Sequence, residues 1–184
     1  MQIGLMSDTH GDLEAVKKSF HILDGCDYIL HAGDVLYHGV FNPILSSYSP
    51  KETADLINES PIPIVFARGN CDSEVDQLAI KWPILSEFSI FNWEGKSFLI
   101  NHGDKRSQEE LLTLAQEEKC HFVITGHTHI FGYQLKNGIY LINPGSPSLP
   151  KGPKIKTIAV ISDETLRFIN IEDGEEVLRA ETEM

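Results

Sequence analysis

The 184 residues are 41% hydrophobic and 23% charged, ordinary proportions for a globular chain and enough to bury a good-sized core in one domain, expected to span residues 1–184. A formal net charge of −12 argues against bulk nucleic acid as a partner, because phosphate backbones are held mainly by Lys and Arg. Cys26, Cys71 and Cys120 form no C-x-x-C pair, and neither a basic-then-apolar leader nor an apolar run near the ~20 residues of a membrane helix occurs, so the expectation is a soluble, cytoplasmic protein that does not bind membranes.

In chain order, residues 2–6 read as a short apolar strand that runs straight into Ser7-Asp8-Thr9-His10-Gly11. A helix should follow, with Asp12 as N-cap and Leu13, Val16, Phe20 and Leu23 on one face. Residues 28–32 read as the next strand, ending at Gly33-Asp34, so the order strand, helix, strand predicts a parallel pair with a crossover helix. A Gly-, Pro- and Ser-rich loop then runs to Pro50. Ser49-Pro50-Lys51-Glu52 reads as a capping box opening a helix to about Glu59. A third strand over 62–66 leads into Arg68-Gly69-Asn70-Cys71-Asp72.

Residues 88–91 and 96–100 predict a strand pair around the turn 92–95, the second strand ending at His102-Gly103. Ser107 to Glu110 is another capping box, with Leu111, Leu114 and Ala115 on the buried side of its helix. Phe122-Val123-Ile124 reads as a buried strand, and Gly126 as the tight turn that opens Gly126-His127-Thr128-His129. Residues 139–142 lead to Asn143-Pro144-Gly145-Ser146, and 157–161 with 166–171 predict an antiparallel hairpin. Glu172, Asp173, Glu175, Glu176, Glu181 and Glu183 read as a solvated acidic face. The whole predicts one mixed α/β domain.

Five of these strand ends share one pattern: an apolar run, a glycine or small residue, then Asp, Asn or His. They supply Asp8, His10, Asp34, Asn70, His102, His127 and His129. A single Gly-Asp is an ordinary turn, but five such corners in one short chain are a signal, because ligands gather at the carboxyl ends of strands in α/β sheets. Three oxygen donors and four imidazoles are too many for one tetrahedral zinc. They suit two octahedral or near-octahedral divalent cations that share a carboxylate. Weaker candidates are Arg68 toward phosphate or in a salt bridge, His38 toward substrate, and Asp72 orienting His10 or another ligand. His31 reads as a core histidine, and His21 and His121 as surface groups.

The ordered series Asp8-x-His10, Gly33-Asp34, Gly69-Asn70, His102-Gly103 and Gly126-His127-Thr128-His129 resembles the calcineurin-like metallophosphoesterase superfamily over residues 1 to about 150. Gly69 to Asp76, Gly33 to Gly39 and Asn143 to Ser146 are similar to its small bacterial YfcE-type phosphodiesterases. The resemblance implies a sandwich of two face-packed mixed β-sheets flanked by helices. It also implies one metal on Asp8, His10, Asp34 and His129 and a second on Asp34, Asn70, His102 and His127, with Asp34 bridging. Mn²⁺ is the implied metal, with Fe, Ni, Co or Zn as competitors, and Asp34, Asn70, Cys71 and His102 form the implied catalytic set.

The implied reaction is hydrolysis of small phosphodiesters by a hydroxide bridging two cations ~4 Å apart. Many members carry histidine directly after the ligand asparagine. Here Cys71 stands there, a poorer acid-base group at neutral pH, so substrates with good leaving groups should react best. The nearest competing activity is phosphomonoester hydrolysis. A different class of reading is a protein-binding scaffold of the same fold, as in the retromer subunit, where a decayed site should lack ligands; here all seven positions are filled. Self-association into a homo-oligomer is compatible with this reading.

Overall fold

Strands that are apolar on both faces need cover on both sides, and that requirement shapes the fold seen in the computed structural model, which describes residues 2–182. In chain order the first elements are β1 (Gln2–Met6), α1 (Leu13–Ile22), β2 (Tyr28–His31), α2 (Pro50–Asn58), β3 (Ile64–Phe66) and α3 (Glu74–Ala79). Then come β4 (Phe88–Trp93), β5 (Lys96–Asn101), α4 (Gln108–Glu117), β6 (Phe122–Ile124), β7 (Gly132–Lys136) and β8 (Ile139–Asn143). The last three are β9 (Thr157–Ser162), β10 (Thr165–Asn170) and β11 (Glu176–Glu181).

They build two mixed sheets. One has six strands in the order β11-β10-β9-β1-β2-β3, the other five in the order β4-β5-β6-β8-β7. The strands that end in the five corners run parallel to one another within each sheet: β1 with β2, β2 with β3, and β5 with β6. The predicted pair and hairpin are antiparallel, β4 with β5 and β9 with β10.

Alternation within each strand decides which layer each side chain enters. Ile3 and Leu5 of β1, with Phe122 and Ile124 of β6, face a core between the sheets that also takes Phe98, Tyr140 and Phe168. Met6 points the other way, with Val16 of α1, Leu23 just after it and Ile57 of α2. Val123 of β6 meets Leu111, Leu112 and Ala115 of α4 on the far side of the second sheet. The resulting layers are helix, sheet, sheet, helix. Register pairs Phe98 with Phe122 and Phe122 with Tyr140 on adjacent strands. The first two rings stack 4.8 Å apart at 11°, an aromatic row that locks the second sheet's inner face.

Several local expectations need correction. Ser49 does not form a capping box: its N–H already donates to the Gly11 carbonyl at 2.8 Å, and its hydroxyl donates to Glu52 at 2.8 Å. The box over 107–110 is present, and Leu112 joins the buried face of α4 while Leu114 is only partly covered. Asp12 caps α1 as expected, accepting from the Ala15 N–H at 3.1 Å. The acidic residues expected to face solvent at 172, 173, 175, 176 and 181 do so, yet 176 and 181 belong to the edge strand β11; Glu183 lies outside the described residues. Three elements, α3, β7 and β11, have no counterpart among the expected ones. No helix among the described residues is long and apolar enough to cross a membrane.

Candidate metal centre

The five corners come from both sheets. β1, β2 and β3 deliver Asp8 and His10, Asp34, and Asn70, while β5 and β6 deliver His102, and His127 with His129. Their backbones are tied to one another before any side chain is considered. Asp8 N–H donates to Gly33 O at 2.9 Å, His10 N–H to Asp34 O at 3.0 Å, and Gly126 N–H to His102 O at 3.0 Å. His127 N–H crosses between the sheets to Asp8 Oδ2 at 3.0 Å. Gly126 is needed here for closeness rather than for a left-handed turn, since a Cβ there would lie 1.8 Å from Ser7 Oγ and 2.7 Å from Asp8 Oδ2.

Half of the ten described non-glycine residues with positive φ belong to this cluster: Asp8, His10, Asp34, His127 and His129. Left-handed backbone costs an L-residue on the order of 1 kcal/mol, so the concentration marks a place where side-chain direction overrides local stability.

The side chains converge. Asp8 Oδ1 lies 3.2 Å from His129 Nε2 and 3.8 Å from His10 Nε2. Asp34 Oδ2 lies 3.7 Å from His10 Nε2 and 3.4 Å from His102 Nε2, placing it between the two halves. Asn70 Oδ1 faces His102 Nε2 at 3.1 Å and His127 Nδ1 at 2.8 Å. Both carboxylates are partly committed: Asp8 takes the His127 N–H, at 3.0 Å on Oδ2 and 3.3 Å on Oδ1, and Asp34 Oδ1 takes the Cys71 N–H at 2.7 Å. Asp34 Oδ2 is thereby left to the centre, and Asp8 Oδ1 also faces His10 and His129.

The imidazoles are oriented in the same way. Nδ1–H of His10 donates to Tyr37 O at 2.7 Å, that of His102 to Ala32 O at 2.7 Å, and that of His129 to Leu149 O at 2.6 Å. A carbonyl only accepts, so each Nδ1 carries a proton, which leaves each Nε2 as the nitrogen turned inward to hold a cation or, in its absence, a second proton. His10 and His129 then face each other with their Nε2 atoms 3.3 Å apart, an arrangement that requires a shared proton or a cation. The donor set and its tautomers fit divalent cations. Among the described residues Asp8, His10 and His129 form one compact group, Asp8, Asp34 and His102 a second, and His10, Asp34 and the Cys71 thiol a third.

Charge responds accordingly. Burial works to raise the Asp34 pKa, but His102 and the Cys71 N–H outweigh it and hold the carboxyl well below the usual range. Burial likewise opposes Asp8, whose pKa is nonetheless lowered by His129 and His102. Burial would lower His102, yet Asp34 and Asp8 push it up to about 9, so its proton occupies the place of a positive charge. His10 is pushed down, mainly by burial.

All seven predicted ligands are brought together, and the weaker candidates separate. Of the two expected targets, Asp72 holds the backbone of Asp34 rather than His10. Its Oδ2 accepts the Asp34 N–H at 2.9 Å and the Gly69 N–H at 2.7 Å, and its Oδ1 the Val35 N–H at 2.8 Å, so it clamps two corners. Arg68 lines the cleft over the centre, its Nε donating to Asp72 O at 3.3 Å. His38 packs edge-on between Tyr37 and Tyr48 and does not line that cleft. His31 is the buried core histidine expected, pushed down to about 4 by burial and bonded to Thr9 and Gly33. His21 and His121 are exposed. Cys71 is half-buried at the cleft, its thiol pushed up by burial and by Asp34.

Asn143 and Ser146 support the centre. Asn143 Nδ2 donates to Gly126 O at 2.7 Å, and Ser146 Oγ donates to Asp8 O at 2.7 Å while accepting from Leu149 N–H at 2.8 Å. Ser146→Ala leaves these buried groups unpaired, a loss of about 2 kcal/mol. The melting temperature is expected to fall by roughly 4–8 °C, and calorimetry showing no change would remove Ser146 from this role. Lys151, which lines the cleft and whose N–H donates to His129 O at 2.9 Å, gave no sequence signal.

Residues 1–165 match the profile of the Calcineurin-like phosphoesterase superfamily domain. The chain is 31% identical over 175 residues to Phosphodiesterase YfcE of Escherichia coli K12, an alignment covering 94% of each protein. The solved structure of YfcE, described as a phosphoesterase, superposes with a TM-score of 0.90 over 100% of both chains at 29% identity. Vacuolar Protein Sorting 29 from Cryptosporidium parvum shares the fold, with a TM-score of 0.72 at 16% identity, covering 100% of this chain and 98% of that one.

Proposed function

Since the chain belongs to the calcineurin-like phosphoesterase superfamily, we propose that it is a metal-dependent hydrolase of small phosphodiesters, with residues 1–184 as one catalytic domain in the cytoplasm. The observation that carries the reading is the inward-facing set of seven donors from five strand ends, with His10, His102 and His129 held by carbonyls outside the centre and Asp34 by the Cys71 N–H. One cation would be held by Asp8, His10, Asp34 and His129, the other by Asp34, Asn70, His102 and His127. Nitrogen and oxygen donors without thiolate favour Mn²⁺. When bound, two such cations activate water near neutral pH and neutralise phosphoryl oxygens.

The chain's own groups supply the rest. The carbonyls of Tyr37, Ala32 and Leu149 fix three imidazole tautomers, so little reorganisation accompanies metal entry. Asp72 and the Cys71 N–H hold Asp34 in a position from which one oxygen reaches both halves. Cys71 lines the cleft beside Asp34, where burial and that carboxylate push its thiol pKa up. The three free cysteines support the cytoplasmic placement.

Chelator-treated protein is expected to be inactive toward an aryl phosphodiester and to recover with Mn²⁺, with the matching monoester cleaved more slowly. A folded protein inactive with every divalent metal would overturn the hydrolase reading. Cys71→His is expected to leave metal content intact and raise monoester turnover relative to diester; an unchanged ratio would show that residue 71 does not set the preference.

A further inference from the structure

Eleven large apolar side chains remain exposed among the described residues, and six of them lie on two short segments beside the metal centre. Tyr37, Val40, Phe41 and Ile44 stand on the loop after Asp34; Val75 and Leu78 stand on α3. Phe41 is 98% exposed, Val40 72% and Val75 73%. A concentration of this kind beside a polar site marks a binding surface rather than scattered apolar residues.

Its shape decides what it binds. Tyr37, Val40, Phe41 and Val75 line the same cleft, of about 730 Å³, as His10, Asp34 and His127. That volume is of the size that encloses a small organic ligand, and the apolar residues form a wall of a concavity. The wall is also set in advance. Tyr37 O anchors His10, and Asn42 closes the loop by donating from Nδ2 to His38 O at 2.8 Å and from its N–H to Gly39 O at 3.3 Å. Across the gap, Ser73 and Asp76 cap α3 reciprocally and fix Val75 in place. Arg68 and Lys151 add positive charge to the cleft. It thus combines a phosphate-directed floor with an apolar wall.

Accordingly, we propose that the cleft selects phosphodiesters carrying an aromatic or other large apolar group on one ester arm, with the phosphoryl group over the metal centre and the arm against Phe41 and Val75. A diester with two small polar arms leaves that wall in water and gains nothing from it. This inference rests on the phosphodiesterase reading above.

The test uses unhydrolysable probes so that binding is read apart from turnover. Mn²⁺-loaded protein is titrated calorimetrically with benzyl(methyl)phosphinate and with dimethylphosphinate, monoanionic diester analogues without a scissile P–O bond. The benzyl probe is expected to bind roughly fivefold tighter, the scale of one ring packed on apolar side chains. Phe41→Ser and Val75→Ser should each bring the ratio close to one. Leu78→Ser, on α3 but outside the cleft lining, should keep it. Equal affinities in the unaltered protein, or a ratio that survives Phe41→Ser, would overturn the proposal. So would a retained ratio accompanied by a change in sedimentation coefficient, which would assign the wall to self-association. Failure to hydrolyse any aryl diester while the probe ratio holds would instead overturn the hydrolase reading and leave the apolar subsite standing.

Discussion

Asp34→Asn is expected to lower kcat/KM for an aryl phosphodiester by about 10³-fold or more while leaving the chain folded. The cluster contains only two carboxylates, Asp8 and Asp34, against four imidazoles that are neutral when they bind metal. Removing one leaves a single negative charge to offset two dications. Asp34 is also the group that reaches both halves, lying 3.7 Å from His10 and 3.4 Å from His102 through one oxygen. Asparagine is nearly the same shape, and its carbonyl can still accept the Cys71 N–H, so the backbone clamp through Asp72 persists. Elemental analysis of the purified variant should therefore find both metals depleted together, with a melting curve close to the parent's. Full turnover, or loss of one metal with the other retained, would sink the shared-carboxylate assignment.

The seven converging side chains were readable from sequence because each combines a buried parallel strand, apolar over three or more residues, with a polar residue past its carboxyl end. Phe122-Val123-Ile124 before Gly126-His127 is the clearest case, since burial on both faces removes the polar alternation that blurs a half-exposed strand. The elements missed are those that bury little. α3 has six residues and no buried side chain, and only Ser73 and Asp76, spaced as a cap, mark its start. β7 is exposed over Tyr133 to Lys136, and β11 buries only Ala180 behind a run of charge. Their short alternations, Tyr133 and Leu135 in β7 and Leu178 and Ala180 in β11, bury too little to stand out.

Side-chain partners that depend on the meeting of distant corners were equally hidden. Asp72 follows Asn70 by two positions, which suggests a local turn. Its three N–H donors sit at Asp34, Val35 and Gly69, two of them on another strand's corner. The carbonyls that set the histidine tautomers have no residue-type signature at all.

Gly33→Ala is expected to destabilise the protein by about 4 kcal/mol, with a melting temperature roughly 8–16 °C lower. Gly33 has φ +95°, and a Cβ there would lie 2.4 Å from Gly69 N, 2.7 Å from Gly69 Cα and 2.9 Å from Ala67 O. All three are backbone atoms, so no rotamer change relieves the overlap. The corners after β2 and β3 must separate, and with them the bonds that Asp72 and Asp34 make across the gap, each to a charged acceptor. Gly95→Ala isolates the conformational part of this cost, because Gly95 has φ +79° and a Cβ there would meet nothing within 4 Å. It should lose only about 1 kcal/mol. The difference between the two variants measures the backbone contact itself, and calorimetry on both gives it directly. Metal content should fall in Gly33→Ala and stay unchanged in Gly95→Ala, since only the first moves Asp34. If the two variants melt together, the corners separate freely, and the close approach of Gly33 to Gly69 does not hold the shared carboxylate in place.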